Sequence, residues 1–262
     1  MDNEEIVQVG GSIEKALKGD YQLDIKSVLR EAWQTTVASR LSINVGLLFT
    51  LIIGMVTSYV ISSTLGGIEA VANDPQSFMF LNIVVTLVVW PFLAGVEMMG
   101  VFHSVGLKTE SRLVFAFLKR GSWVAVCALL TSLLVSIGLE LLVLPGVYLA
   151  VALSFSIPLV VEKRLSPIKA IVLGIQATRF QWFKIFAIYL VLIFALIAVT
   201  IPLALTLQSD LSIIATMFFL FSLTYLAPMF YNVKGILYRE IFGLQLKTVS
   251  GSIGSSDNIF SA

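Results

Sequence analysis

The chain has 262 residues, of which 58% are hydrophobic and only 13% charged, with a net charge of +1 and a mean hydropathy of +0.95. A soluble domain carries about 25% charged residues, so the composition excludes an ordinary soluble domain and indicates a polytopic membrane protein. The near-neutral balance supplies no concentrated basic face for nucleic acid. The one cysteine, Cys127, lies in an apolar run, so no disulfide forms within the chain.

Residues 1–23 form a polar segment without the apolar core of a signal peptide. From Asp24 the pattern changes: Ile25, Val28, Leu29, Ala32, Trp33 and Val37 recur at three- and four-residue spacing, with Lys26, Arg30, Glu31 and Gln34 between them. That is the spacing of an amphipathic helix. Such a helix suits the lipid headgroup region, with Arg30 and Trp33 as contacts; the alternative is a helix packed on the protein's own ends.

Six apolar runs follow, near Ser42–Leu65, Phe78–His103, Ser122–Leu144, Gly146–Val161, Phe183–Leu207 and Leu211–Val233. A helix needs about 20 residues to cross about 30 Å of hydrocarbon, so each is a candidate span. The third and fourth are separated only by Leu144-Pro145-Gly146, which predicts a tight hairpin turn at Pro145 and Gly146. The expected fold is all-α: six transmembrane helices as three hairpins, each preceded by a cytoplasmic amphipathic helix. The membrane domain covers 24–243, and 244–262, which includes the polar stretch Gly251–Ser256, is expected to be a flexible tail.

Charge orients this scheme. The loops 66–77 and 208–210 and the turn at Pro145 contain no Lys or Arg; all 17 basic residues fall on the opposite side. Positively charged loops stay cytoplasmic, which puts both termini inside. A weak repeat accompanies the pattern: Ile25-Lys26-Ser27-Val28 and Thr35 align at constant offset with Ile168-Lys169-Ala170-Ile171 and Thr178, and 112–119 supplies a third amphipathic stretch. Lys169, Arg179 and Trp182 extend the list of interfacial contacts to lipid or to a partner.

Ionisable groups in hydrocarbon are costly and therefore mark function. Glu97 lies inside the second run, with Gly100 and Ser104 one and two turns beyond it on much the same helical face. These three form the intramembrane polar candidate: a proton, cation or substrate contact, or a carboxyl that ties two helices together. His103, the only histidine, is expected to anchor at the cytoplasmic interface, and a site of several imidazoles is excluded. Glu140 and Glu162 look like span terminators. The chain contains no G-x-S-x-G elbow, no H-E-x-x-H and no P-loop; no catalytic residue, metal or cofactor is therefore expected.

The stretch Leu144-Pro145-Gly146-Val147-Tyr148, followed by Phe155-Ser156-Ile157-Pro158-Leu159-Val160-Val161-Glu162 and Ser166-Pro167-Ile168-Lys169-Ala170, resembles a family of uncharacterised bacterial inner-membrane proteins, the YciC-like family. That family is related to the membrane domain attached to some glycerophosphodiester phosphodiesterases. The resemblance implies a six-helix domain in the bacterial inner membrane. The chain has no room for the phosphodiesterase barrel, which needs about 250 residues. The expected function is a non-enzymatic envelope accessory protein that binds lipid, a membrane-protein partner or a second copy of itself, the alternative being a small-solute or ion transporter that uses Glu97.

Overall fold

The computed structural model describes residues 5–206 and 208–248. The protein is nearly all helical, and among the described residues six helices are long and apolar enough to cross a membrane. In chain order, strand β1 (Glu5–Val9) and helix α1 (Ile13–Lys18) precede α2 (Ile25–Thr64), α3 (Ile68–Asn73) and α4 (Pro75–His103). Two 3-10 turns (Ser111–Phe115 and Leu118–Arg120) lead into α5 (Gly121–Leu141). Then come α6 (Val143–Ala152), a 3-10 turn (Leu153–Phe155) and α7 (Ser156–Val161), which together make the fourth span, Val143–Val161, followed by α8 (Pro167–Thr178), α9 (Trp182–Thr206), α10 (Ser212–Phe242) and β2 (Leu244–Thr248).

Local chemistry sets several of these boundaries. Ser12 caps α1 by accepting from the Lys15 amide at 3.2 Å, and Gly19 ends that helix in the left-handed region at φ 75°. Asp74 accepts from the Ser77 amide at 2.9 Å, and Pro75, which has no amide hydrogen to leave unpaired, opens α4. The hydrogen bonds from Ser77 hold the Asp74 carboxyl below the usual carboxylate range.

Four boundaries differ from those read in the sequence. The amphipathic segment from Ile25 does not precede the first span as a separate helix; it is continuous with it in one helix of 40 residues, about 60 Å long. The third amphipathic stretch, 112–119, forms the two 3-10 turns instead of an α-helix. The break between the third and fourth spans falls at Leu142, whose backbone is extended (φ −159°, ψ 137°), while Pro145 and Gly146 already lie in the first turn of α6. Proline is tolerated there because first-turn amides have no helical acceptor. Finally, 244–248, expected as the start of a tail, is a strand: β2 pairs antiparallel with β1, Val9 opposite Leu244 and Val7 opposite Leu246. The polar stretch Gly251–Ser256 lies outside the described residues.

The chain divides into two compact units. One comprises the described residues up to Asn44, Met99–Thr109 and the described residues from Ala177 onward. Here the β1–β2 ribbon joins the two ends of the described chain, α1 packs on α10, and α9 runs along α10. Gln181 fixes the approach to α2: its side-chain oxygen accepts from the Leu23 amide at 3.0 Å and its amide donates to the Tyr21 carbonyl. Tyr21 is 8% exposed and donates its hydroxyl to the Ala177 carbonyl at 2.8 Å.

The other unit comprises Val45–Met98 and Glu110–Gln176. Its closest helix pair is α5 and α6, where a Cβ on Gly138 would lie 2.9 Å from the Gly146 Cα. The α4 helix continues through Pro91, and a Cβ on Gly121 would lie 3.2 Å from the Pro91 Cβ. Phe49, Phe92 and Phe115 pack edge-to-face, with ring centroids 4.9 to 6.0 Å apart. Arg120 reaches the Val160 carbonyl at 2.9 Å and so occupies the end of α7.

Burial pushes the Tyr21 phenol up to about 12, above the roughly 10 of an unfolded chain. The folded state therefore keeps this proton longer than the unfolded state. The contribution is complete below pH 10 and is lost as the pH rises toward 12. Thermal unfolding followed between pH 9 and 12 should show this loss in the wild type, and Tyr21→Phe should lack that part of it.

Candidate functional site

The lower half of α4 carries the polar candidates, and the structure assigns them different surroundings. Glu97 is 4% exposed, between Val96 and Met98, both fully buried. Gly100 is not part of a cleft. It is the point where α4 meets α10: a Cβ there would overlap the Tyr231 carbonyl, and one on Gly235 would overlap the Gly100 carbonyl. Ser104 turns its hydroxyl back to the Val101 carbonyl at 2.6 Å, and its own carbonyl accepts from Arg239. Arg239 also pairs with Glu31 of α2 at 2.5 Å and with Glu240 at 2.7 Å.

The close crossing positions a buried polar cluster that the sequence did not reveal. His103, expected as an interfacial anchor, is only 5% exposed. Its Nδ1 lies 3.0 Å from Asn232 Oδ1 and 3.1 Å from Ser39 Oγ. Its Nε2 lies 2.7 Å from Thr109 Oγ1 and 3.5 Å from Ser42 Oγ. Asn232 Nδ2 donates to Thr36 Oγ1 at 2.9 Å, so α2, α4, α10 and the 104–110 segment meet around one ring. The signals were Thr36, Ser39 and Ser42 at three-residue spacing and Asn232 within an apolar run, but only the crossing at Gly100 and Gly235 brings them together. Lys234, read as lying beyond the last span, is inside α10 and 6% exposed.

A second feature is apolar. The C-terminal half of α2 and the N-terminal half of α4 flank a gap, and α3 sits against it. They enclose a cleft of about 800 Å³ lined by residues that include Leu51, Gly54, Met55, Phe78, Val85 and Val89. Two of the hydroxyls that line it bond to helix carbonyls: Thr50 donates to the Gly46 carbonyl at 2.8 Å and Ser62 to the Tyr59 carbonyl at 3.1 Å. The pocket between α9 and α10 is smaller, about 290 Å³.

The interfacial candidates differ in what they touch. Arg30 and Lys169 are exposed. Trp33 is 48% exposed and stacks on Tyr225, with ring centroids 6.0 Å apart. Arg179 lies over the Phe180 ring at 4.6 Å, and Trp182 stacks on Phe186 at 5.0 Å. On α8, Ala170, Ile171 and Gly174 are buried, while Ile168 (69% exposed) and Val172 (45%) share the open face with Lys169. Gly146 is buried, and a Cβ on it would overlap Leu139, whereas Pro145 is exposed. Among the described residues no group of three His, Cys, Asp or Glu side chains could hold a metal.

Comparison of the chain with protein-family profiles, curated proteins and solved structures returns no match.

The Gly100 contact is backbone against backbone, so a methyl group there has no flexible neighbour to displace. Gly100→Ala should cost about 1–3 kcal/mol, the range of core overpacking. It should lower the thermal midpoint in detergent, whereas Gly54→Ala, whose Cβ would meet Val89 at an ordinary 3.5 Å, should leave it unchanged.

Proposed function

We propose that this integral membrane protein is a non-enzymatic lipid-binding accessory of the bacterial inner membrane, with both termini in the cytoplasm. The observation that carries the reading is the cleft between α2 and α4. Its volume falls within the roughly 300–1,000 Å³ of small-molecule sites, and its lining is apolar, with the Thr50 and Ser62 hydroxyls engaged by helix carbonyls. In a bilayer such a surface is filled by an acyl chain. The open face of α8, with Ile168 and Val172 beside Lys169, suits the boundary between headgroups and acyl chains. The resemblance to the YciC-like family and the basic loops support the location and orientation. A membrane-protein partner or a second copy of the chain would have to cover this cleft instead of lipid.

The protein extracted with its bilayer into polymer nanodiscs and analysed by native mass spectrometry should retain lipid in a fixed ratio. Gly54→Trp, which builds a ring into the cleft, should lose one lipid from that ratio. Retention of an unchanged set of lipids by the variant would contradict the assignment.

A second reading rests on Glu97, a carboxyl 4% exposed within a spanning helix. Such groups serve ion and proton movement in transporters. If Glu97 carries transport, Glu97→Gln abolishes flux in reconstituted vesicles or makes it independent of pH; normal flux in that variant removes it from the mechanism.

A further inference from the structure

We propose that His103 is a reversible proton-binding site, reached from the surface through the hydroxyl of Thr109. The argument rests on where each hydrogen can go. A structural histidine is fixed in one tautomer when a carboxylate or carbonyl faces one ring nitrogen. Here the Asn232 oxygen does so at Nδ1, whereas Nε2 faces only the hydroxyls of Thr109 and Ser42, which can donate to the neutral ring or accept from the cationic one.

In the neutral ring Nδ1–H donates to Asn232 Oδ1, and the Thr109 hydroxyl donates to Nε2. In the cationic ring both nitrogens donate, Nδ1–H to Asn232 Oδ1 and Ser39 Oγ, Nε2–H to Thr109 Oγ1. The remaining hydroxyls already point the right way for that second state. Ser39 donates to the Thr35 carbonyl at 2.6 Å, Ser42 to the Ser39 carbonyl at 3.2 Å, and Thr109 has Ser42 Oγ as an acceptor at 3.1 Å. One hydroxyl rotation, Thr109 from Nε2 to Ser42, therefore accommodates the added proton, and no buried hydrogen bond is lost. The ring is 5% exposed, but Thr109 is only half-buried, in a segment whose Gly106 and Lys108 are exposed. That places water within one hydroxyl of Nε2.

The charged groups on the surrounding elements are engaged elsewhere or directed away. On α2, Arg40 lies over the Tyr225 ring at 3.8 Å, and Glu31 pairs with Arg239 of α10, which also pairs with Glu240. Lys234 follows Asn232 by two residues, about 200° around α10. Glu97 precedes His103 by six residues, about 120° away around α4. In the 104–110 segment Lys108 is exposed and Glu110 pairs with Arg112 at 2.9 Å. In the cationic state both ring N–H groups thus point at dipoles of α2, α10 and the 104–110 segment.

Because the chain has a single histidine, labelling with ¹⁵N-histidine in nanodiscs gives one pair of ring signals. As the pH is lowered from 8 to 5 the two nitrogens should converge on imidazolium shifts. Thr109→Val removes the Nε2 acceptor and keeps the side-chain shape; it should move the midpoint down by about one pH unit, the scale of one hydrogen bond. Thr109→Ser should restore the wild-type midpoint and so show that the valine effect is not a folding defect. A ring that stays neutral, or stays charged, over this range overturns the proposal, as does a midpoint that Thr109→Val leaves in place.

Discussion

The contact between Gly100 and Gly235 is the constraint on which the terminal unit depends. Two helices that meet through backbone alone approach more closely than side chains would allow, as small residues permit in membranes generally. That approach sets the register of α4 against α10. With it fixed, Asn232 faces His103 at 3.0 Å, and Arg239 reaches the Ser104 carbonyl. Each of these polar groups would be costly in hydrocarbon by itself. Together, with Thr36, Ser39 and Ser42 supplied by α2, they satisfy one another. The glycine crossing and the polar cluster are one device: the first brings helices close enough for the second, and the second fixes their rotation.

The other unit solves the same packing problem differently. Its α5 and α6 also meet through glycine, Gly138 against Gly146, and they separate only at Leu142. No such pair joins α2 to α4 in this unit. Gly54 meets Val89 at ordinary van der Waals distance, and bulky Leu51, Met55, Phe78 and Val85 line the space between the helices. Side chains of that size hold helices apart without filling the gap. In water such a cleft would collapse or be covered; in a bilayer, acyl chains fill it at little cost.

The spans were legible in the sequence because hydrophobic run length is a strong signal, and each apolar run corresponds to a helical span of the structure, the fourth being α6 and α7 joined by a 3-10 turn. Where helices begin and end was less so. Ile25–Thr35 and Ile168–Thr178 share a pattern, yet the first continues as helix while the second stops. After Thr35 come Thr36-Val37-Ala38-Ser39, which continue the turn. After Thr178 comes Gln181, whose side chain is drawn to the backbone of Tyr21 and Leu23. A tertiary bond decides between two similar local sequences. The ribbon of β1 and β2 escaped notice for a related reason: each strand is five residues long, and the two lie at opposite ends of the chain.

The candidate site shows the same division between local and tertiary information. Glu97 was singled out because a carboxylate in an apolar run is conspicuous, and in the structure it is buried. Gly100 and Ser104 were grouped with it by helical spacing alone. Spacing does give a common helix face, but it does not say what that face meets. One turn of α4 beyond Glu97 the neighbour is the backbone of α10, so Gly100 serves contact and Ser104 offers its carbonyl to Arg239. His103 was set aside because it lay at the end of a span and six residues from the carboxylate. Its partners are hydroxyls and an amide, residue types that single out no position when read one at a time. A polar cluster assembled from weak donors on four segments leaves almost no trace in any one segment, and it becomes visible only when the close helix crossing is known.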